Sequence, residues 1–167
     1  MTAVATVLSQ SLEPSARARN DAEFVVTLAP LEEGKLQILH VNQRPLFVLK
    51  PDARQRQSIR ELDEYVFDKR HSYFSPELEA YIYWGESTKW GCPLLEKTAA
   101  DQLVYWPDTA RTWQGGYWDP LCEVSYDYAG RTIATSSRAF NGYTGEWPNL
   151  QSPHVRVSGQ TLTISFL

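Results

Sequence analysis

The stretch GGYWDPLCEVSYDYAGR at residues 115–131 constrains this chain more than any other. Gly115, Gly116, Pro120 and Gly130 stand where the backbone must bend, because glycine tolerates positive φ and proline fixes its own. Between them lie Tyr117, Trp118, Val124, Tyr126 and Tyr128, residue types that suit a pleated, half-buried surface. Short strands joined by tight turns fit such a pattern. The same texture recurs in AYIYWG and VYWPD, and six Trp, nine Tyr and six Phe make the whole chain rich in strand-forming aromatics. An all-β domain is predicted.

At 167 residues the chain is long enough to bury a core without metal or cross-links. Residues 1–22, rich in Ser, Ala and Arg, read as a mobile arm, and residues 23–167 as one domain. Sixteen basic against twenty acidic side chains give a net charge of −4 with no basic block, so nucleic acid is not expected as a partner. No run reaches the ~18 to 20 apolar residues that cross a bilayer. The N-terminus lacks the basic start and apolar middle of a secretory signal, and the initial Met argues against a removed leader. A soluble, cytoplasmic protein is expected, at most peripheral at a membrane complex.

Along the chain, EFVVTL reads as a strand, and Leu31 to Lys35 as a turn signalled by Glu32-Glu33-Gly34. LQILHV and RPLFVLK form a hairpin about Asn42 and Gln43. Residues 51–79 are the least β-like part, an inserted connector in which Ile59, Leu62, Tyr65 and Val66 suit a short amphipathic helix. At most one helical turn fits Ser75-Pro76-Glu77-Leu78 before the strand-like AYIYW. A polar link, KTAADQ, leads to LVYWPD, and a long loop after Arg131 precedes a closing hairpin in HVRVSGQTLTISFL. His40, a lone strand histidine, receives no role.

Two loops share one design. Ser87-Thr88-Lys89-Trp90-Gly91-Cys92-Pro93 and Gly115-Gly116-Tyr117-Trp118-Asp119-Pro120-Leu121-Cys122 each turn on Gly and Pro and carry one Cys, the two cysteines about thirty residues apart. Together they resemble the paired loops of the Rieske iron-sulfur domain family, in particular the iron-sulfur subunits of ubiquinol cytochrome c reductases. That family carries C-T-H-x-G-C, then G-G-F-x-C-P-C-H-G-S-x-Y-D-x-x-G-R, after a hairpin strand of G-K-P-V-F-V type. The match covers roughly residues 23–167. It rests on residues 43–48, on Thr88, Gly91 and Cys92, and on Gly115, Gly116, Pro120, Tyr126, Asp127, Gly130 and Arg131 in one register. A Rieske-like antiparallel β-sandwich with a short helical insertion is what the resemblance implies.

The family holds [2Fe-2S] with two thiolates and two imidazoles. At those four positions this chain carries Ser87, Lys89, Asp119 and Cys122, and Val124 replaces a supporting Ser while the supporting Tyr remains as Tyr126. Lys89 would place an ammonium where the cluster needs a lone pair, so no cofactor and no metal are expected. A zinc site from Cys92, Cys122, Asp119 and a distant His is the weaker possibility. The family's inter-loop disulfide has its first half in Cys92; Leu121 fills the second, with Cys122 one residue later. Cys92 and Cys122 are therefore a disulfide, contributing on the order of 3 to 4 kcal/mol, or two buried thiols. Lys89 and Asp119 would face each other across the vacated site as an ion pair, with Trp90, Tyr117 and Trp118 filling it.

The segment between the second loop and the closing hairpin is longer than the family's Pro-rich one and echoes it only in Pro148-Asn149-Leu150. Fold does not carry function across such losses. The expected function is a non-catalytic structural or protein-binding module associated with a respiratory electron-transfer complex. The alternative is a redox protein: an electron carrier of ubiquinol cytochrome c reductase type with an unconventional centre, or a Cys92/Cys122 thiol switch.

Overall fold

A computed structural model describes residues 23–70, 73–101, 113–133 and 147–166. The N-terminal arm, the LVYWPD strand, His71 and most of the loop after Ile133 lie outside the described residues. The described chain is mostly β. In order, β1 (Glu23–Thr27), β2 (Leu36–Val41) and β3 (Arg44–Leu49) precede the helix α1 (Ala53–Glu61). There follow β4 (Phe74–Ser75), β5 (Ala80–Trp84), β6 (Leu95–Lys97), β7 (Gly116–Asp119), β8 (Val124–Tyr126), β9 (His154–Ser158) and β10 (Thr161–Ser165). They form three antiparallel sheets of order β1-β10-β9, β2-β3-β5-β4 and β6-β7-β8.

The four-stranded sheet is covered on both faces, and its sequence shows why. In a strand successive side chains point to opposite faces, so a run with no polar alternation buries both. From β3 and β5, Leu46, Val48, Ala80, Ile82 and Trp84 join a core with Phe24, Val26, Leu162 and Ile164 of the terminal sheet. The alternate residues Phe47, Leu49, Tyr81 and Tyr83 join a second core with Tyr117, Val124 and Tyr126 of the β6-β7-β8 sheet, to which α1 adds Ile59. Each fully buried side chain of this kind contributes about 1.5–3 kcal/mol. The loops of interest emerge from this second core.

The β2–β3 hairpin turns on Asn42 and Gln43 at φ of 49° and 65°, the two-residue primed turn whose twist matches the strands. β9 and β10 form the closing hairpin, and β10 then takes β1 as its other neighbour, so the first strand pairs with the last rather than with β2.

The helix differs from the prediction. Asp52 caps it, its carboxylate accepting from Gln55 N at 2.8 Å while Gln55 Oε1 accepts from Asp52 N at 3.0 Å. It ends at Glu61, so Leu62 is the cap and Tyr65 lies beyond it. Val66 instead makes a β-bridge with Ile133. The apolar spacing that suggested a longer helix comes from two structures in succession, both packing inward. Residues 76–79 form a turn, as Ser75-Pro76 indicates.

Candidate functional site: the paired loops

Loop one leaves β5. Gly85 N donates to Pro45 O at 2.8 Å, and Ser87 N to Cys92 O at 2.8 Å, so the loop closes back on itself between residues 87 and 92. The Ser87 hydroxyl, almost fully buried, accepts from Cys92 N at 3.2 Å. Ser87 therefore acts inside its own loop. Thr88 ties the loop to the last described segment by donating to Asn149 O at 2.7 Å.

Loop two joins β7 to β8. Asp119 ends β7 with no exposed surface, and its Oδ1 accepts from Leu121 N at 2.9 Å and from Cys122 N at 3.0 Å. This side-chain-to-backbone turn is what Asp does well where a strand must reverse. It orients the carboxyl so that Oδ2 is buried with no hydrogen-bond partner. The tyrosine hydroxyl of Tyr126, also buried, has none either.

The two loops bring Cys92 and Cys122 together, sulfur to sulfur at 3.5 Å, as free thiols. A carboxylate oxygen of Asp119 completes the group: the three ligating atoms lie within 4.8 Å of one another. Burial pushes the Cys122 thiol up, and Cys92 and Asp119 beside it add to that shift, so at neutral pH the sulfur holds its proton. Tyr126 is raised too, first by burial and then by electrostatic interaction with Asp119, Cys122 and Cys92.

Lys89 does not join them. It is exposed, and its Nζ stands 5.4 Å from the Trp147 ring centroid. The expected ion pair with Asp119 is not formed, because the backbone of loop two satisfies one Asp119 oxygen and the other meets no donor. An ammonium gains more from water and an aromatic face than from complete desolvation beside one carboxylate. Of the aromatics predicted to fill the site, Tyr117 is buried in the second core, Trp118 is partly buried and Trp90 is 59% exposed. Leu121, at the tip of loop two, is 60% exposed.

A two-iron cluster of the family's kind needs four protein ligands, two of them imidazoles. The loops gather three ligating side chains, and the described histidines are exposed elsewhere, His40 on β2 and His154 on β9. The residues present do not fit that cluster.

Two features escaped the sequence reading. One is the buried contact of Tyr83, whose hydroxyl meets that of Tyr117 at 2.7 Å and Tyr128 O at 3.0 Å. Burial raises Tyr83 and Tyr117 far above the ordinary phenol range, so both are neutral cross-braces between sheets. The other is Arg131, almost completely buried, which reaches Asp127, Asp63 and Ile59 O and so ties loop two's far end to α1. Only the YDYAGR pattern pointed to it, through an Asp and Arg four residues apart.

No family model matches the chain, and no curated protein matches it.

Proposed function

We propose that this chain is a Rieske-like domain that has lost the ligands of its [2Fe-2S] cluster and works as a non-catalytic protein-binding module, associated with a respiratory electron-transfer complex. The observation that carries the reading is the placement of Ser87, Lys89 and Asp119. All three stand at ligand positions of the resemblance, and all three serve other contacts: Ser87 the Cys92 amide, Lys89 the Trp147 face, Asp119 the amides of its own loop. A loop pair that keeps its turns while spending its ligand positions on internal contacts is a scaffold. The apolar shoulders Trp90 and Leu121, both more than half exposed beside the two cysteines, offer that scaffold a contact surface.

Two measurements test it. Protein purified from its native host should be colourless and give no rhombic electron paramagnetic resonance signal on reduction; about two irons per chain would sink the reading. A photo-reactive benzophenone side chain in place of Leu121 should give one discrete cross-linked adduct in native cells, containing a subunit of an electron-transfer complex. The same probe in place of His40, on β2 away from the loops, should not. Equal cross-linking at both positions would remove the claim that the loop tips are the contact surface.

The contact of 3.5 Å between the two thiols favours a second reading, a dithiol switch. Its step would take two electrons and two protons from Cys92 and Cys122 to a small-molecule disulfide, forming one intramolecular bond and releasing two thiols of the oxidant. Against a fast switch stands the raised Cys122 thiol, since the thiolate is the nucleophile. Iodoacetamide at neutral pH should therefore alkylate Cys122 at least about tenfold more slowly than an ordinary exposed thiol, one pKa unit being tenfold in thiolate. Mass mapping of the alkylated peptides reads this directly, and rapid Cys122 labelling in the folded protein would restore the switch as the leading reading.

A further inference from the structure

We propose that Cys92, Asp119 and Cys122 bind a single thiophilic divalent cation of the zinc type in the cleft between the paired loops. The inference rests on the reading that no iron-sulfur cluster occupies these loops, and it gives the same site a ligand.

Three observations carry it. The first is spacing. A zinc ion bound by thiolates at about 2.3 Å in a tetrahedron sets those sulfurs about 3.8 Å apart. Here they already stand 3.5 Å apart, and all three ligating atoms fall within 4.8 Å of one another. The two sulfurs need move only a few tenths of an ångström to reach that spacing, and the carboxylate oxygen closes on them from no more than 4.8 Å.

The second is the unmet carboxylate oxygen. Asp119 is fully buried, its Oδ1 is fixed by two backbone amides and its Oδ2 has no partner. A buried carboxylate oxygen left without a donor or cation is costly. Neither Lys89 nor any other described cation takes it up: the ammonium of Lys89 stands over Trp147. Tyr126, close enough to be influenced by all three groups, also carries a buried hydroxyl without a partner. Two unsatisfied oxygens beside two thiols in a single small region are what a site prepared for a cation looks like.

The third is the donor chemistry. Two sulfurs exclude calcium and magnesium, which demand oxygen, and one carboxylate with two thiolates suits the borderline-soft zinc ion. The fourth position falls to solvent. Access is open, since Cys92 is only partly buried and Trp90 and Leu121 flank it as exposed shoulders. Binding involves no change of oxidation state: each thiol gives its proton to the buffer as its sulfur takes the metal. Bound metal would tie the two loops together as a disulfide does, and the two ties exclude each other because both use the same sulfurs.

The test is cobalt(II) titration of the whole chain, stripped with a chelator and kept reduced by a phosphine under anaerobic conditions. Cobalt should produce thiolate-to-metal charge-transfer absorption in the near ultraviolet, saturating at one ion per chain, and zinc should erase it. C92S and C122S should each remove most of that band. D119N preserves an oxygen for the amides of Leu121 and Cys122 while replacing the partnerless one, so it should fold and bind at least about tenfold more weakly. A folded, reduced, iron-free protein that shows no charge-transfer band at saturating cobalt overturns the metal site and leaves the cluster-free reading intact. A band that survives C122S, or affinity unchanged in D119N, overturns it as well. Two irons per chain as purified would instead overturn the reading beneath it.

Discussion

Arg131→Ala is expected to lower the unfolding free energy by about 3–5 kcal/mol, the cost of removing one partner from a buried ion pair. Arg131 is the most consequential polar residue among those described. Its Nε donates to Asp127 Oδ2 at 2.7 Å, and its remaining nitrogens reach Asp63 Oδ1 and Ile59 O, so one planar fork joins loop two, the end of α1 and the segment after it. Asp127 is fully buried, and its other oxygen holds the amides of Ala129 and Arg131, both at 2.9 Å. Removing the guanidinium strands that carboxylate and an α1 carbonyl together. Lysine keeps the charge but loses the fork, and should recover less than half of the loss. Urea denaturation of R131A and R131K reads both; a loss below about 1 kcal/mol for R131A would mean that water replaces the guanidinium without cost, contrary to its burial.

Gly116→Ala should be nearly as damaging, at about 3 kcal/mol or more, from overpacking added to backbone strain. Gly116 has φ of +145°, and a Cβ there would lie 2.2 Å from the Tyr126 carbonyl oxygen, an atom of the adjoining strand that cannot move without breaking the β7–β8 ladder. Gly159 supplies the control. Its φ is +57° with nothing within 4 Å of a Cβ, so Gly159→Ala meets only the conformational penalty of about 1–2 kcal/mol. Thermal or urea unfolding of the two variants separates space from strain, and equal losses would show that the clash relaxes. Of these two, Gly116 alone carries both penalties, and its neighbour Gly115 likewise combines φ of +94° with a Cβ position 2.1 Å from the Tyr128 hydroxyl, which is the physical reason for the G-G of loop two.

Much of this was legible in the residues. Aromatic and β-branched runs between Gly, Pro and Asn corners indicated β1, β2, β3, β5 and the closing hairpin, because strand preference and turn chemistry act over a few residues. The helix boundary was not legible, since Ile59 and Leu62 face inward from different structures and periodicity alone does not separate them. At the site, the meeting of Cys92 with Cys122 was among the sequence expectations, whereas Lys89 with Asp119 was expected and is absent. Both pairs came from the same loop alignment. What separated them was environment: thiols bury readily, and an ammonium does so only when fully compensated.

The sequence by itself determined the turns, the strand-forming segments and the identity of the groups available between the loops, because these depend on local sterics and on side-chain chemistry. Only the tertiary structure decided which groups meet. It set two thiols at 3.5 Å, left a buried Asp119 oxygen without a partner, sent Lys89 to the Trp147 face, and closed Arg131 over α1 from loop two. Those choices follow from desolvation and from packing between sheets distant in sequence, which local order does not encode.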